Sequence, residues 1–470
     1  MSNNSPDDRS QSLAEAVARM PGGRGSRGDL ISALNLTQAP STVYRWLNRA
    51  VEKGLLTRSG TTNDSIYVAT TEARRRVILE HLSLPLERRP ATAYDQGRVM
   101  DYVPNETFLL SQEDRERLHD RCAPGQASLK CFSTKEVGEF LAQFCNSSSR
   151  LEGRAFELAD TNAMLDTMDS LPAGATQVDR VMLLNHRQAA KMILEEIRET
   201  GTFPLTPTNL RQVQACLMHQ LGPYSTDQGR LKLGHFRTVA VQMSQCAYTP
   251  LKQGDAIAAM MSQILHKAEL IRDPYEASFF LLLHVSYLQA FLDGNKRLAR
   301  IVANIPLLNA SVTPISWISA SSPDEVQNYR NAMVAFYELG DPLLMREQYV
   351  NNFMRSAEQF DVLRNIQAPN DYSVLYPQES KLYIQAFVQK LRTCITADPD
   401  LMPATVQPAD VAGFLAYCHG ELEALRENNL MGWRWGIQSP FMRRWLENLP
   451  DGPIPHAHPH EESPERESMR

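Results

Sequence analysis

The sequence predicts a mainly α-helical protein of several domains. Its 470 residues indicate two to four domains, since a typical domain has about 100–200 residues. Residues Phe279–Leu288 form an apolar run long enough for a buried helix. Helical patterns also cover Ser41–Lys53 near the start of the chain, and Lys381–Leu391 and Pro408–Glu427 near its end. Strands are indicated only as short segments.

Two short helices are predicted near the N-terminus. Gly28–Leu34 is the first, Asn35–Pro40 is a turn, and Ser41–Lys53 is the second. Ser41 is a suitable N-cap for the second helix, and Gly54 is a suitable stop. Apolar residues recur at helical spacing in the second helix and predict the side that faces the core, namely Val43, Leu47, Ala50 and Val51.

The outer face of the second helix is polar and basic. Between positions 19 and 58 the net charge is +5, whereas the whole chain carries −6. Two short strands follow, Leu55–Gly60 and Ser65–Ala69, and the pattern resembles a winged helix-turn-helix domain. That resemblance implies a second helix placed in the major groove of DNA, and a winged helix used only for protein contacts is the alternative. The residues expected to contact DNA are Thr42, Tyr44, Arg45, Asn48, Arg49 and Arg58.

Prolines, an apolar segment and a charged tail predict how the rest of the chain is divided into domains. Ser83–Pro90 contains two prolines, which limit helix continuation and indicate a linker. Trp433, Trp435 and Trp445 lie in an apolar segment and are interpreted as core residues, not as a ligand cage. His456–His460 lies in a charged tail that we expect to be disordered. The predicted parts are a winged helix-turn-helix (1–82), a linker (83–93), a central domain (94–355), a helical C-terminal region (356–450) and a tail (451–470).

One loop has the composition of a phosphate-binding site. Asp293 supplies a hard oxygen ligand suited to Mg²⁺. Gly294 permits positive φ, and a helix that opens at Asn295 or Lys296 would direct free N–H groups at an anion. Arg297 and Arg300 are three residues apart, hence on one helical face, where both can bind phosphate oxygens. A plain surface turn before a basic helix is the alternative.

The stretch Gln289-Ala290-Phe291-Leu292-Asp293-Gly294-Asn295-Lys296-Arg297-Leu298-Ala299-Arg300 resembles the signature of the Fic family, His-Pro-Phe-x-(Asp/Glu)-Gly-Asn-(Gly/Lys)-Arg-x-x-Arg. The likeness extends from about Tyr94 to Ile318. It implies a helical fold that binds ATP and Mg²⁺ and transfers AMP to a protein hydroxyl. The implied roles are a metal site at Asp293 and nucleotide binding by Gly294, Asn295, Lys296, Arg297 and Arg300.

Two further segments resemble parts of the same family. Gly234–Val239 and Tyr248–Pro250 resemble a β-hairpin flap, which implies that a target protein is clamped by strand addition. Ser148-Ser149-Arg150-Leu151-Glu152-Gly153 resembles the N-terminal inhibitory helix, and Ser148, Glu152 and Gly153 match its pattern. The resemblance implies that Glu152 pairs with Arg300 and blocks the γ-phosphate. As an alternative, Ser149 to Glu152 is a capping box that opens a helix.

The main departure from the family pattern is Gln289, which stands where the family has its general base. A carboxamide cannot act as a base near neutral pH, and a positioned base contributes roughly 10²–10⁴-fold. Leu288-Gln289-Ala290-Phe291 resembles a bacterial winged-helix subgroup of the family with Leu-Gln-x-Phe. We therefore expect a Fic-type nucleotide-binding protein with weak or altered catalysis, in which Glu152 is the nearest substitute base. The alternative is an inactive, ATP-sensing transcriptional regulator.

The composition argues against a membrane-spanning, secreted, zinc-binding or disulfide-rich protein. No apolar run approaches the ~20 residues that span a bilayer, and the polar start is unlike a signal peptide, so a cytoplasmic protein without a membrane partner is expected. The seven cysteines are scattered and form no C-x-x-C pair, which argues against a zinc site and a disulfide framework. The expected partners are ATP, a target protein and DNA, and the choice between monomer and homodimer stays open.

Overall fold

The structure is a computed structural model that describes residues 6–20, 23–33, 35–60, 65–125, 134–154, 156–166, 171–221, 233–252, 254–317, 322–366, 372, 376–427, 432, 435–450 and 452–455. The chain divides into two compact units. One comprises Met1–Leu129 and Gly138–Phe360, and the other comprises Lys130–Val137 and Asp361–Arg470. Both units are mainly helical, as predicted.

The first unit begins with four helices and a small antiparallel sheet. The helices are α1 (Pro6–Arg19), α2 (Arg27–Ala33), α3 (Pro40–Glu52) and α4 (Thr71–Ser83), and the strands β1 (Arg24–Ser26), β2 (Leu56–Ser59) and β3 (Ile66–Ala69) pair in the order β1-β3-β2. Both predicted helices and both predicted strands are present, and the tip at 61–64 lies outside the described residues.

The core face of α3 agrees with the helical periodicity of its sequence. Val43, Leu47 and Ala50 are fully buried and pack with residues of α1, whereas Val51 is half-buried. The N-cap prediction was wrong: the helix begins at Pro40 after Ala39, and no side chain caps it. Proline is favourable at the first helical position because its missing N–H needs no partner there, which moves Ser41 inside the helix.

Helix α4 attaches these elements to the rest of the first unit. Arg74 pairs with Asp341 through a guanidinium that is one-fifth exposed, and Arg75 pairs with Glu347. His81 Nε2 lies 2.5 Å from Glu338 Oε2, and the Glu338 carboxylate is fully buried. These three contacts lie along α4 and attach it to the body of the unit.

The body of the first unit is a set of helices around one buried helix. They are α5 (Gly97–Met100), α6 (Gln112–Arg121), α7 (Thr134–Leu151), α8 (Leu158–Asp166), α9 (Gln177–Thr200), α10 (Pro207–Leu217), α11 (Gly254–Leu270), α12 (Pro274–Leu288), α13 (Asn295–Val302), α14 (Asn304–Asn309), α15 (Pro323–Leu339) and α16 (Leu343–Ile366). Every residue of α12 is buried, as its apolar run predicts. Asp273 caps α12, and its last turn delivers the candidate loop.

A small parallel sheet takes the place of the expected antiparallel hairpin. Strand β5 (Tyr248–Thr249) pairs in parallel with β4 (Thr92–Ala93), which belongs to the predicted linker. Residues 233–247, all of which the structure describes, contain no strand. The physical reason is Arg237, whose guanidinium donates to the carbonyl oxygens of Gln289, Val239 and Leu251 and so ties the segment together without a ladder.

The second unit has its own core. Its helices are α17 (Pro377–Gln389), α18 (Val411–Glu427) and α19 (Ser439–Asn448). Trp435 and Trp445 are buried among apolar side chains of this core, as expected, and Trp433 and the histidines of the tail lie outside the described residues. Across the part of the chain that the structure describes, no helix has both the length and the apolar character needed to cross a bilayer.

Candidate functional site

The candidate loop is held in shape by its own backbone and by Asn295. Gln289 ends α12 in the left-handed conformation at φ 49°. The Asn295 side chain accepts from Phe291 N at 2.9 Å and donates to Phe291 O at 2.7 Å, which closes the turn. Gly294 has φ 80°, and a Cβ there would meet Met218 Sδ at 2.8 Å. The positive φ favours glycine at this position, and a larger residue would also displace the Met218 side chain.

Helix α13 begins at Asn295, directly after the turn, as predicted. The first N–H groups of a helix have no partner within the helix, and the dipole makes this end attractive to anions. The residues Gly294–Arg297 line a cavity of about 180 Å³, together with Gln289, Asp293 and the segment 241–244. The loop thus has the geometry of an anion site.

Both arginines of α13 are buried, which is uncommon for arginine. Arg297 is 6% exposed, and its Nη2 lies 3.3 Å from Met218 Sδ and 3.6 Å from Asp293 Oδ2. Arg300 is completely buried. In the Arg297 guanidinium, Nη1 is buried without a hydrogen-bond partner among the described residues. An unsatisfied buried donor is costly, so Arg297 is suited to bind an anion.

Glu152 lies against Arg300 at the end of α7. Arg300 donates from Nη2 to Glu152 Oε1 at 2.6 Å and to Ser148 O at 3.1 Å, and from Nε to Ser148 Oγ at 2.8 Å. Gly153 follows with φ 93°. The structure thus brings together Ser148, Glu152 and Arg300. The capping-box alternative was wrong, because this segment ends a helix: Glu152 N and Arg154 N donate to Ser149 O.

The charge state of Glu152 is set by its neighbours. Burial alone would raise its pKa, but attraction by Arg300, Lys296 and Arg297 outweighs burial and lowers the pKa to about 2. A carboxylate with so low a pKa is a weak base at neutral pH. While Glu152 pairs with Arg300, it is therefore a poor substitute for the missing base.

Gln289 is nearly buried and already engaged. Its Nε2 donates to Ser286 O at 2.6 Å, and its backbone carbonyl accepts from Arg237 Nε at 2.6 Å. The side chain lines the small cavity, so it occupies the position that the resemblance assigns to the base. Its amide stabilises the end of α12.

Asp293 is the candidate metal ligand. Its side chain is 55% exposed and lines the small cavity. Oδ1 accepts from Gly294 N at 2.5 Å, which fixes the carboxylate beside the turn. Mg²⁺ prefers one or two carboxylates, phosphate oxygens and several waters, and a single accessible carboxylate next to an anion site fits that preference. Among the described residues, no group of three or more His, Cys, Asp or Glu side chains forms a separate metal site.

A larger cavity of about 580 Å³ adjoins the small one. Glu152, Met243, Ser244 and Lys296 line both cavities. Tyr329 lines the larger cavity, and its ring centre is 5.9 Å from Arg300 Cζ. Glu152 therefore lies where the two cavities meet, and Arg300 is buried behind it.

Five of the residues predicted to contact DNA lie on α3, and the sixth, Arg58, lies on β2. Arg58 donates to Tyr44 Oη at 3.1 Å and to Asn48 Oδ1 at 3.4 Å, and Arg45 donates to Thr42 Oγ1 at 3.4 Å. Asp7 pairs with Arg49 and lies 3.0 Å from Lys53 Nζ. The structure thus brings Arg58 to Tyr44 and Asn48, and Arg45 to Thr42, while Asp7 partly neutralises Arg49.

Sequence reasoning missed three residues of the site. Met218 packs under Gly294, Arg237 holds the carbonyl of Gln289, and Tyr329 lies beside Arg300. Each comes from a segment distant in sequence, and none carries a motif that marks it. Only the fold brings these side chains to the loop.

Comparisons with known proteins agree with the resemblance seen in the sequence. Residues 204–307 match the model of the Fic/DOC family. No protein with curated annotation matches the chain.

Three solved structures are similar to the chain. Fic-1 of C. elegans is 12% identical, with 76% of this chain and 83% of that one covered and a TM-score of 0.43. A Fic family protein of Desulfovibrio desulfuricans is 16% identical, with 61% and 82% covered and a TM-score of 0.42. A Fic domain containing signaling protein of Bacteroides thetaiotaomicron is 19% identical, with 54% and 99% covered and a TM-score of 0.41. From the match over residues 204–307, this chain contains a domain of the Fic/DOC family.

Proposed function

We propose that the chain binds ATP with Mg²⁺ at the loop 289–300 and that Glu152 controls the binding. Fic domains generally transfer a nucleoside monophosphate to proteins. The observation that carries the proposal is the Glu152–Arg300 pair, in which a carboxylate that lines both cavities holds a guanidinium buried behind it. In the absence of Glu152, that guanidinium needs another anion.

In this proposal, different residues of the loop bind different phosphates of ATP. The N-terminus of α13, with Gly294 and Asn295, holds the α- and β-phosphates, and Arg297 and Arg300 hold the distal phosphates. Lys296 lines both cavities and adds a positive charge between them. Asp293 holds Mg²⁺, which supplies neutralisation of phosphate charge when it is bound.

Transfer of AMP is slow or absent in this proposal. In the reaction, a target hydroxyl attacks the α-phosphorus, the bond to the β-phosphate breaks and pyrophosphate leaves, while the hydroxyl proton passes to a base. Gln289 cannot accept that proton, and its amide is bonded to Ser286 O. A target segment would approach along the segment 234–251 that replaces the hairpin flap.

An inactive, ATP-sensing regulator is the second candidate function. The engagement of Gln289 at the end of α12 favours it, because a side chain that serves to cap a helix is not free for catalysis. The N-terminal elements favour it too. Helix α3 and the β2–β3 pair have the order of a winged helix-turn-helix, and α3 exposes a basic face suited to phosphates. In this candidate, bound nucleotide alters DNA binding.

Labelled ATP tests both candidates. The wild type and Glu152→Gly are incubated with α-labelled ATP and Mg²⁺, and retained label is measured by filter binding and by protein electrophoresis. Non-covalent retention that increases in Glu152→Gly supports the nucleotide site, and a covalent band supports transfer. Absence of both signals in Glu152→Gly would reject the proposal.

A further inference from the structure

The larger cavity has a wall that lies outside the segment matched to the family. Leu84, Pro85, Leu86 and Arg89 line it, and they belong to the linker that follows α4. The opposite wall comes from the segment 243–246 and from α15. The linker is thus within reach of any ligand in this cavity.

The volumes of the two cavities differ about threefold. The space of about 180 Å³ beside α13 lies below the roughly 300–1,000 Å³ that is typical of small-molecule sites. The adjoining 580 Å³ lies within that range. With phosphates at α13, a nucleotide that extends past Lys296 and Ser244, which line both cavities, would place its base and sugar in the larger space.

The chemistry of the larger cavity suits a base and a sugar. Apolar residues from both walls provide a surface on which a base can pack, namely Leu84, Leu86, Met333, Val334 and Tyr337. Gln245, Gln327 and Asn331 offer amide donors and acceptors, which pair with the edges of bases. The Tyr329 ring also lines this cavity, beside the Arg300 guanidinium.

The linker is also firmly connected to the structure on both sides. Arg89 donates to Leu82 O at 2.9 Å and to Leu84 O at 3.0 Å, which stiffens the chain after α4. Glu338 of α15 bonds His81 of α4 and accepts from Ala247 N at 2.7 Å, next to the cavity wall at Cys246. A ligand that presses on the linker therefore acts on α4.

We infer that the linker Leu84–Arg89 forms one wall of the compartment for the base and sugar of the bound nucleotide, so that α4 and the helices before it respond to occupancy. This inference rests on the proposed nucleotide site. It adds a part of the chain that the phosphate loop does not need.

The test compares ATP with inorganic tripolyphosphate, which lacks base and sugar, in the Glu152→Gly background. Calorimetry with Mg²⁺ gives both affinities for Leu86→Ala and for the matched control Glu87→Ala, whose side chain is exposed and does not line the cavity. We expect Leu86→Ala to weaken ATP by up to about tenfold, the scale for losing one apolar contact, and to leave tripolyphosphate unchanged. Glu87→Ala should change neither affinity.

Hydrogen exchange provides a second measurement on the same proteins. ATP should slow exchange of the Arg88 and Arg89 amides, which donate to Pro85 O and Leu86 O, and tripolyphosphate should not. Equal losses for both ligands in Leu86→Ala, or an unchanged ATP affinity together with unchanged exchange, would overturn the linker wall while leaving the phosphate site intact. Failure of both ligands to bind Glu152→Gly itself would instead remove the proposed function, and this inference with it.

Discussion

Arg300 and Glu152 pair a buried cation with an accessible anion: Arg300 Nη2 donates to Glu152 Oε1 at 2.6 Å. The guanidinium is completely buried and the carboxylate is one-quarter exposed. A buried cation thus depends on one removable anion. The first two predictions follow from this arrangement.

Glu152→Gly should strengthen binding of ATP–Mg²⁺. The variant removes the anion that competes with phosphate for Arg300, and a charge-assisted hydrogen bond contributes about 1.5–3 kcal/mol. Calorimetry should show an affinity about ten- to a hundredfold higher. Glu157→Gly is the control, since that side chain is 77% exposed and its removal changes the net charge equally. Equal effects of the two variants would refute a specific role for Glu152.

Arg300→Ala should weaken ATP–Mg²⁺ binding in the Glu152→Gly background. There, Arg300 is free to bind a distal phosphate, and its loss should cost about 1–3 kcal/mol. Calorimetry measures the change, and ADP, which lacks the γ-phosphate, should be less affected than ATP. An ATP affinity that stays the same would remove Arg300 from the phosphate site.

Gln289→His together with Glu152→Gly should turn on AMP transfer, to the protein itself or to a partner. A general base contributes roughly 10²–10⁴-fold when it is positioned. Gln289→His alone should gain less, because Glu152 still holds Arg300. Mass spectrometry of the AMP adduct is the measurement, with Gln289→Asn as the control that lacks a base. An adduct present in the wild type and lost in Gln289→His would mean that the glutamine itself takes part.

Asp7→Asn should increase affinity for duplex DNA, whereas Arg45→Ala and Arg49→Ala should reduce it. Asp7 pairs with Arg49 and Lys53 on the exposed basic face. Each phosphate contact adds about 0.9 to the slope of log affinity against log salt, so Arg49→Ala should flatten the slope by about one. Gel shifts over a salt series check this, with Asp8→Asn as the control. Wild-type protein that does not bind DNA would reject the DNA-binding role.

Acid should destabilise the first unit through His284. Burial, aided by the charges of Arg98 and Lys267, lowers the pKa of His284 to about 3. The unfolded chain takes up a proton below its ordinary pKa of about 6.5 and the folded chain does not, so stability falls as the pH decreases from about 6.5 towards 3. Thermal unfolding over that range should show a shallower decline for His284→Leu than for His266→Leu, whose side chain is exposed.

The conformation of the candidate loop could be predicted from sequence because its parts are contiguous. The turn at Gly294 and the start of α13 follow from local rules, and the structure has both. Local rules failed where two of them compete. Ser41 follows a proline that takes the first helical position, and the Ser149–Glu152 pattern does not tell whether a helix begins or ends there.

The surroundings of the loop could not be predicted in the same way. Met218 restricts Gly294, and Tyr329 lies beside Arg300, because separate helices pack together. The pairing of Thr92–Ala93 with Tyr248–Thr249 joins segments about 155 residues apart, and no short motif signals such a contact. The shape of the cavities therefore depends on contacts between segments distant in sequence, whereas the residue types of the loop 289–300 can be read directly from the sequence.

The Glu338 carboxylate contacts His81 of α4 and accepts from Ala247 N beside the larger cavity, so it connects the two. Any coupling through this connection acts equally in both directions. If a ligand in the larger cavity changes how firmly α4 is held, then whatever binds the N-terminal helices must change the affinity of that cavity by the same factor. A ligand that binds both arrangements equally shifts neither. DNA, or any other macromolecule bound on α3, would then change the affinity of the proposed phosphate site, just as a bound nucleotide would change the affinity of α3 for that macromolecule.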